Sequence, residues 1–186
     1  RCLSRGLGDV YKRQIYAMGA SPDMALAILG WPIDKFGSKM AGEVLAGARE
    51  SCKKAGIPLA GGHSIDIPQP IFGLSVTGRV GIGELKKNNG ARPGDLLYLT
   101  KPLGIGVIAT AMKKELANDD DTKWALKTMK KLNFEGAELS GITGVNAMTD
   151  ITGFGLAGHL HEMMKASNCS AHLFIMIVSQ SIITQG

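Results

Sequence analysis

The 186-residue sequence predicts an α/β fold. Three observations lead there. Short apolar runs closed by Gly or Pro alternate with longer segments whose apolar residues recur at helical spacing. Glycine is frequent, at 25 residues, as tight turns between strands and helices require. Aromatic residues make up only 5 %, too few for the stacking platforms of a single-strand nucleic-acid reader. With 45 % hydrophobic residues the chain is globular, and its length suits one large domain or two small ones.

In chain order, Met24–Leu29 ("MALAIL") is a continuous apolar run stopped by Gly30 and Pro32. It reads as a buried strand, with a buried helical turn as the alternative. From Ser38 to Lys54, Met40, Val44, Leu45, Ala48 and Cys52 recur at helical spacing, Ser38 can cap the start, and Gly56 with Pro58 closes the segment. Cys52 falls on the apolar stripe and is expected to be a core thiol rather than a nucleophile. A polar knot, "PLAGGHSIDIPQP", then precedes "IFGLSVTGRV", whose β-branched and aromatic residues predict a strand from Ile71 to Val80.

The composition changes next. "GIGELKKNNGARPG" is polar and loop-rich, so a domain boundary is expected between residues 81 and 94, before a new apolar run at Asp95. "VIATAMKKEL" and "KWALKTMKKLN" read as helices separated by a solvated "DDDT", with Thr122 available as a cap and Trp124 and Met129 facing a core. "VNAMTD" reads as a strand ending at Asp150, "TGFG" as a tight turn and "LAGHLHEMMKAS" as a helix.

The formal charge of +5 does not point to a polyanionic partner. Arg1, Arg5, Lys12 and Arg13 stand beside a single Asp9 in the first fourteen residues, and the remainder holds 17 basic against 15 acidic side chains. Lys113-Lys114 and Lys130-Lys131 read as solvated helix faces, so no nucleic-acid footprint remains. Cys2, Cys52 and Cys169 lie far apart without a CxxC pair, which argues against a zinc cluster or a disulfide framework and for a reducing cytoplasm. The longest apolar stretches are too short to span a bilayer, and the basic start has no apolar region after it, so neither a membrane helix nor a signal peptide is expected.

Two places can carry chemistry. An Asp150 at a strand end, followed by Thr152, Gly153 and Gly155, would sit where ligands collect in open α/β sheets, and could hold Mg²⁺ against substrate phosphates. Helix capping or a turn carboxylate is the competing reading. Gly153 to Gly158 also has GxGxxG spacing, but the dinucleotide fingerprint needs an acidic residue about 20 positions further on. No Asp or Glu follows Glu162. A Walker P-loop string is absent. His159 and His161 are two apart on a helix and point to different faces, which disfavours a shared metal, so both read as structural or exposed.

In the knot, Gly61 and Gly62 let backbone approach a ligand, and His63 and Ser64 can donate to phosphate oxygens. Asp66 either braces the loop or approaches a metal. The stretch suits anion binding, although Gly-Gly before polar residues also makes ordinary turns.

Taken in order, "IYAMGASPDMALAILGWP", "AGGHSIDIPQPIFGLSVTG", "LTKPLGIGV" and "AMTDITGFGLAGHLHEM" resemble the selenide, water dikinase (selenophosphate synthetase) family over about residues 15 to 172. The resemblance implies an aminoimidazole ribonucleotide synthetase-like two-domain α/β fold, here incomplete at both ends. It implies selenophosphate synthesis from ATP, selenide and water, with release of AMP and phosphate, Mg²⁺ in the site and a homodimer built through the N-terminal domains. Residue by residue, Gly62, His63 and Ser64 match a segment that contacts ATP across the dimer interface, and Asp150 matches a Mg²⁺ ligand. Same-fold kinases or ligases acting on another acceptor, such as thiamine phosphate, and a nucleotide-binding remnant without catalysis, are the alternatives.

Departures from the family pattern matter as much. The family's reactive Cys or selenocysteine and its companion Lys precede everything matched here, and Cys2 and Lys12 do not occupy that motif. No catalytic residue is therefore assigned, and this polypeptide is expected to make no selenophosphate by itself. Gln14 stands where the family has a metal-binding aspartate, so metal stoichiometry and ATP affinity should fall. Residues 1–14 read as a non-native leader, 15–82 as part of the N-terminal ATP-binding and dimerisation domain, and 83–186 as part of the C-terminal domain, with a drifting tail from about Leu173.

Overall fold

The computed structural model of the chain describes residues 13–174. The tail beyond Phe174 and most of the expected leader lie outside the described residues. A short helix, α1 (Arg13–Ala17), leads into a long strand, β1 (Ser21–Trp31), followed by helix α2 (Ser38–Lys54), strand β2 (Leu59–Asp66) and strand β3 (Ile71–Arg79). The sheet order is β2-β1-β3, with β1 parallel to β2 and antiparallel to β3. A parallel neighbour needs a crossover connection, and α2 provides it.

The strand reading of Met24–Leu29 therefore holds, and pairing on both sides extends it to Trp31. Alternation sorts its side chains: Ala25, Ala27, Leu29 and Trp31 are buried, while Met24, Leu26 and Ile28 are exposed. The buried side meets Val44, Ala48 and Cys52 of α2 together with Phe72 and Leu74 of β3. Cys52 is 1 % exposed and is a core thiol, as expected. Each fully buried Val or Leu in such a layer contributes about 1.5–3 kcal/mol, which is what fixes α2 to one face. The indole of Trp31 donates to the Phe36 carbonyl at 2.9 Å, closing the loop between β1 and α2.

Two expected caps are corrected. The N-cap of α2 is Gly37, in extended conformation, and Ser38 is already helical. In helix α4 (Asp119–Lys130) the cap is Asn118, whose Oδ1 accepts from Asp121 N–H at 2.7 Å, not Thr122. Asp119, Asp120 and Asp121 then occupy the first turn, where the helix dipole favours negative charge. "DDDT" is a helix start rather than a break. Asn118→Ala is expected to cost about 1 kcal/mol, read as a shift of the denaturation midpoint, whereas Thr122→Ala should move it by under about half that.

Helices α3 (Ile105–Lys113), α5 (Glu135–Ser140) and α6 (Gly155–Ser167) complete the described elements. Trp124 departs from expectation: it is 37 % exposed, and the residue of α4 that is buried is Ala125. "VNAMTD" is likewise not a strand, because no neighbouring strand offers it a ladder among the described residues. It is held instead by single bonds to the 81–95 stretch, Met148 N–H to Lys87 O at 3.3 Å and Asn146 Nδ2 to Asp95 Oδ1 at 2.9 Å.

The two halves are joined at close range. A Cβ on Gly136 of α5 would stand 2.3 Å from the Tyr16 carbonyl oxygen, and one on Gly19 would stand 2.3 Å from Ser140 Cβ. Only glycine at these positions lets α1 and α5 approach so closely.

Candidate functional site

The polar knot is a strand. Leu59–Asp66 pairs with β1 over its length, with Ala27 opposite Gly62, Ile28 opposite His63 and Leu29 opposite Ser64. Turn chemistry in the sequence loses here to tertiary pairing: β1 has an open edge, and backbone groups on both strands gain partners. Gly62 is required by this approach, since a Cβ there would lie 2.0 Å from the Ala27 carbonyl oxygen. The turn comes later, at Ile67–Pro70, where Lys35 Nζ donates to the Pro68 carbonyl at 3.1 Å.

The strand geometry separates the two polar side chains expected to act together. Successive residues of a strand point to opposite faces. His63 shares the face of Ile28, away from α2, whereas Ser64 shares the side of Leu29. Both are exposed. Gly61 and Gly62 have φ of +154° and +158°, conformations that L side chains rarely adopt.

Around His63 the sheet presents an uncovered apolar surface. Met24, Leu26 and Ile28 of β1, Ile65 of β2 and Ile71 of β3 all lie on this face, and Ile28 and Ile71 are 48 % and 61 % exposed. Sheets of this kind bury both faces or leave one face polar. The open face of this sheet is instead apolar and exposed among the described residues.

Asp150 stands apart from β2. It lies in the non-helical stretch before α6, partly buried, and its carboxylate has no hydrogen-bond or ion-pair partner among the described residues. The expected strand end is absent, so its position comes from the chain around it: Thr149 Oγ1 donates to the Asp150 carbonyl at 3.4 Å, and the turn through Gly155, at φ +65°, starts α6. Among the described residues no hydrogen bond or ion pair links β2 to this stretch. No group of three or more His, Cys, Asp or Glu side chains there could cage a metal. That donor set fits Mg²⁺ of the kind held by one carboxylate plus waters and phosphate oxygens, and does not fit an all-protein metal cage.

Sequence reasoning missed the surroundings of His159. Its ring nitrogens lie 3.1 Å from Thr152 Oγ1 and 3.2 Å from Glu162 Oε2, while His161 is exposed. The signal was the i, i+3 spacing of His159 and Glu162 on α6. Gln14, at the position expected to carry an aspartate, lies in α1 with an exposed side chain.

Comparison with known proteins agrees with this architecture. Family models described as AIR synthase related protein match residues 10–80 with the N-terminal domain and residues 92–183 with the C-terminal domain. A protein of Shewanella putrefaciens named selenide, water dikinase is 55 % identical over 159 residues, covering 86 % of this chain and 45 % of that protein. One of the same name from Shewanella baltica is 54 % identical over the same shares. The chain thus spans less than half the length of the curated relatives it matches. Among solved structures, thiamine-monophosphate kinase from Stenotrophomonas maltophilia superposes with a TM-score of 0.76 at 20 % identity, over 89 % of this chain and 55 % of that one. Hydrogenase maturation protein HypE in complex with ATP gives 0.71 at 18 %, over 87 % and 50 %. At such identities these structures share the fold, and no helix among the described residues is long and apolar enough to cross a membrane.

Proposed function

The chain belongs to the AIR synthase related protein family, and from that premise we propose that the activity it serves is ATP-dependent synthesis of selenophosphate from selenide and water, with release of AMP and phosphate. The observation that carries this reading is the 55 % identity to selenide, water dikinase across 86 % of the chain, which includes β2 and the Asp150 stretch. A location in the cytoplasm goes with it.

On this reading the protein binds nucleotide as a homodimer of two copies. The open apolar face of the sheet is the contact surface, and it supports the pairing because nothing else in the chain covers it among the described residues. His63 rises from that same face and would reach the partner's nucleotide, while Gly62 keeps the backbone close and Ser64, on the α2 side of the outer strand, would reach the anion around the free edge of β2. Asp150 would bring Mg²⁺ to the phosphates. When bound, the metal supplies charge neutralisation for the transferred phosphoryl group. The chain's own residues bind and orient the anion, and hydrogen-bond donors aimed at the phosphates add no carboxylate repulsion.

Titration of the chain with Mg-ATP tests the assignment. Asp150→Asn is expected to weaken binding about 10-fold or more, and the His63→Ala, Ser64→Ala double variant by a similar factor. Wild-type affinity in the double variant would remove β2 from the site, and wild-type affinity in Asp150→Asn would remove the metal assignment.

A further inference from the structure

At the turn into α6 three side chains form a chain of contacts that the proposed activity has not used. Thr152 Oγ1 lies 3.1 Å from His159 Nε2, and His159 Nδ1 lies 3.2 Å from Glu162 Oε2. The imidazole is only 11 % exposed and packs against the Phe154 ring, with centroids 5.6 Å apart. Thr152, by contrast, is exposed.

With the imidazole neutral, the order of these contacts sets the direction of one proton. A carboxylate only accepts, so in the neutral imidazole Nδ1 carries the hydrogen and donates it to Glu162. Nε2 is left as an acceptor. The Thr152 hydroxyl then donates inward to Nε2, and its oxygen lone pairs are left for a ligand outside. That oxygen lies two residues along the chain from the unpartnered carboxylate of Asp150.

We propose that Thr152 is a second oxygen ligand for the metal-bound nucleotide, and that His159 and Glu162 are positioning residues that hold its proton away from the cation. The proposal deepens, and rests on, the reading of Asp150 as a magnesium-binding residue. Mg²⁺ accepts few protein oxygens, and a hydroxyl beside one carboxylate satisfies that preference without adding charge. A hydroxyl whose proton pointed outward would repel the cation, which is why the relay behind it matters. Groups behind a ligand of this kind change metal affinity about 10-fold to 100-fold when removed.

The experiment uses the 186-residue chain with threonine methyl and histidine ring ¹⁵N labels, and Mn²⁺ with ATP as the probe. The expected result is the Nδ1–H tautomer of His159, selective broadening of the Thr152 methyl signal, and Mn-ATP affinity lowered about 10-fold in Thr152→Val and in His159→Phe but kept in Thr152→Ser. The Nε2–H tautomer, an unbroadened Thr152 methyl at saturating probe, or wild-type affinity in Thr152→Val would each overturn the proposal. Asp150→Asn separates it from the reading beneath it. If Asp150→Asn binds normally, the Asp150 assignment fails and the proposal that rests on it falls with it. If Asp150→Asn loses binding while Thr152→Val keeps it, the relay is only structural.

Discussion

Gly62→Ala is expected to cost about 3 kcal/mol of stability, the upper end of what forced overpacking does. The added Cβ would lie 2.0 Å from the Ala27 carbonyl oxygen and 2.8 Å from the Ala27 nitrogen, both backbone atoms of the paired strand. β1 cannot yield. Its other side is packed on α2 through Ala25, Ala27 and Leu29, and its far edge is paired with β3 and clamped where Arg79 grips Asp23 at 2.5 and 2.7 Å. β2 would therefore peel from the sheet and carry His63 and Ser64 with it. Gly61→Ala is the control: its Cβ would meet only Leu26 Cδ2, at 3.9 Å, so its cost is confined to the backbone conformation. Denaturant unfolding followed by circular dichroism gives both numbers. A Gly62→Ala protein within about 0.5 kcal/mol of the parent would show that β2 can move away from β1 at little cost.

Ile28→Lys is expected to weaken self-association at least about 100-fold, as removal of a central anchor does. Ile28 is at the middle of the open face, between His63 of β2 and Gly73 of β3. A lysine there is tolerated in the isolated chain because the position is already 48 % exposed, but it would put an unpaired ammonium in the centre of an apolar contact. Sedimentation at several concentrations reads the result, with Thr77→Lys, at the end of β3, as a weaker comparison. A parent chain that sediments as a monomer at every concentration would sink the dimer reading. So would an Ile28→Lys variant that associates as well as the parent.

Periodicity was sufficient where an element packs on one face only. The apolar stripe of α2 appears in the structure as expected, Cys52 is buried as its place on the stripe required, and β3, expected from its β-branched and aromatic residues, ends within a residue of expectation. Periodicity failed where hydrogen-bond partners decide. "GGHS" has turn composition, yet it is a strand because β1 offers an edge; "VNAMTD" has strand composition, yet it has no ladder because no neighbour runs beside it. Thr122 and Ser38 looked like caps, but a cap is settled by which side chain reaches a free N–H, and Asn118 does so one turn earlier.

By itself the sequence determined which residue types could serve: glycines that allow close approach, donors beside them, one carboxylate before a glycine-rich turn, and the family those strings match. Only the tertiary structure decided where they point. Strand pairing imposes a period of two, so the same four residues put His63 on the open face and Ser64 on the other, and the packing of α6 turned a histidine with no evident role toward Thr152. Composition cannot encode such choices, because direction is set by the partner across the ladder or the helix and not by the residue itself.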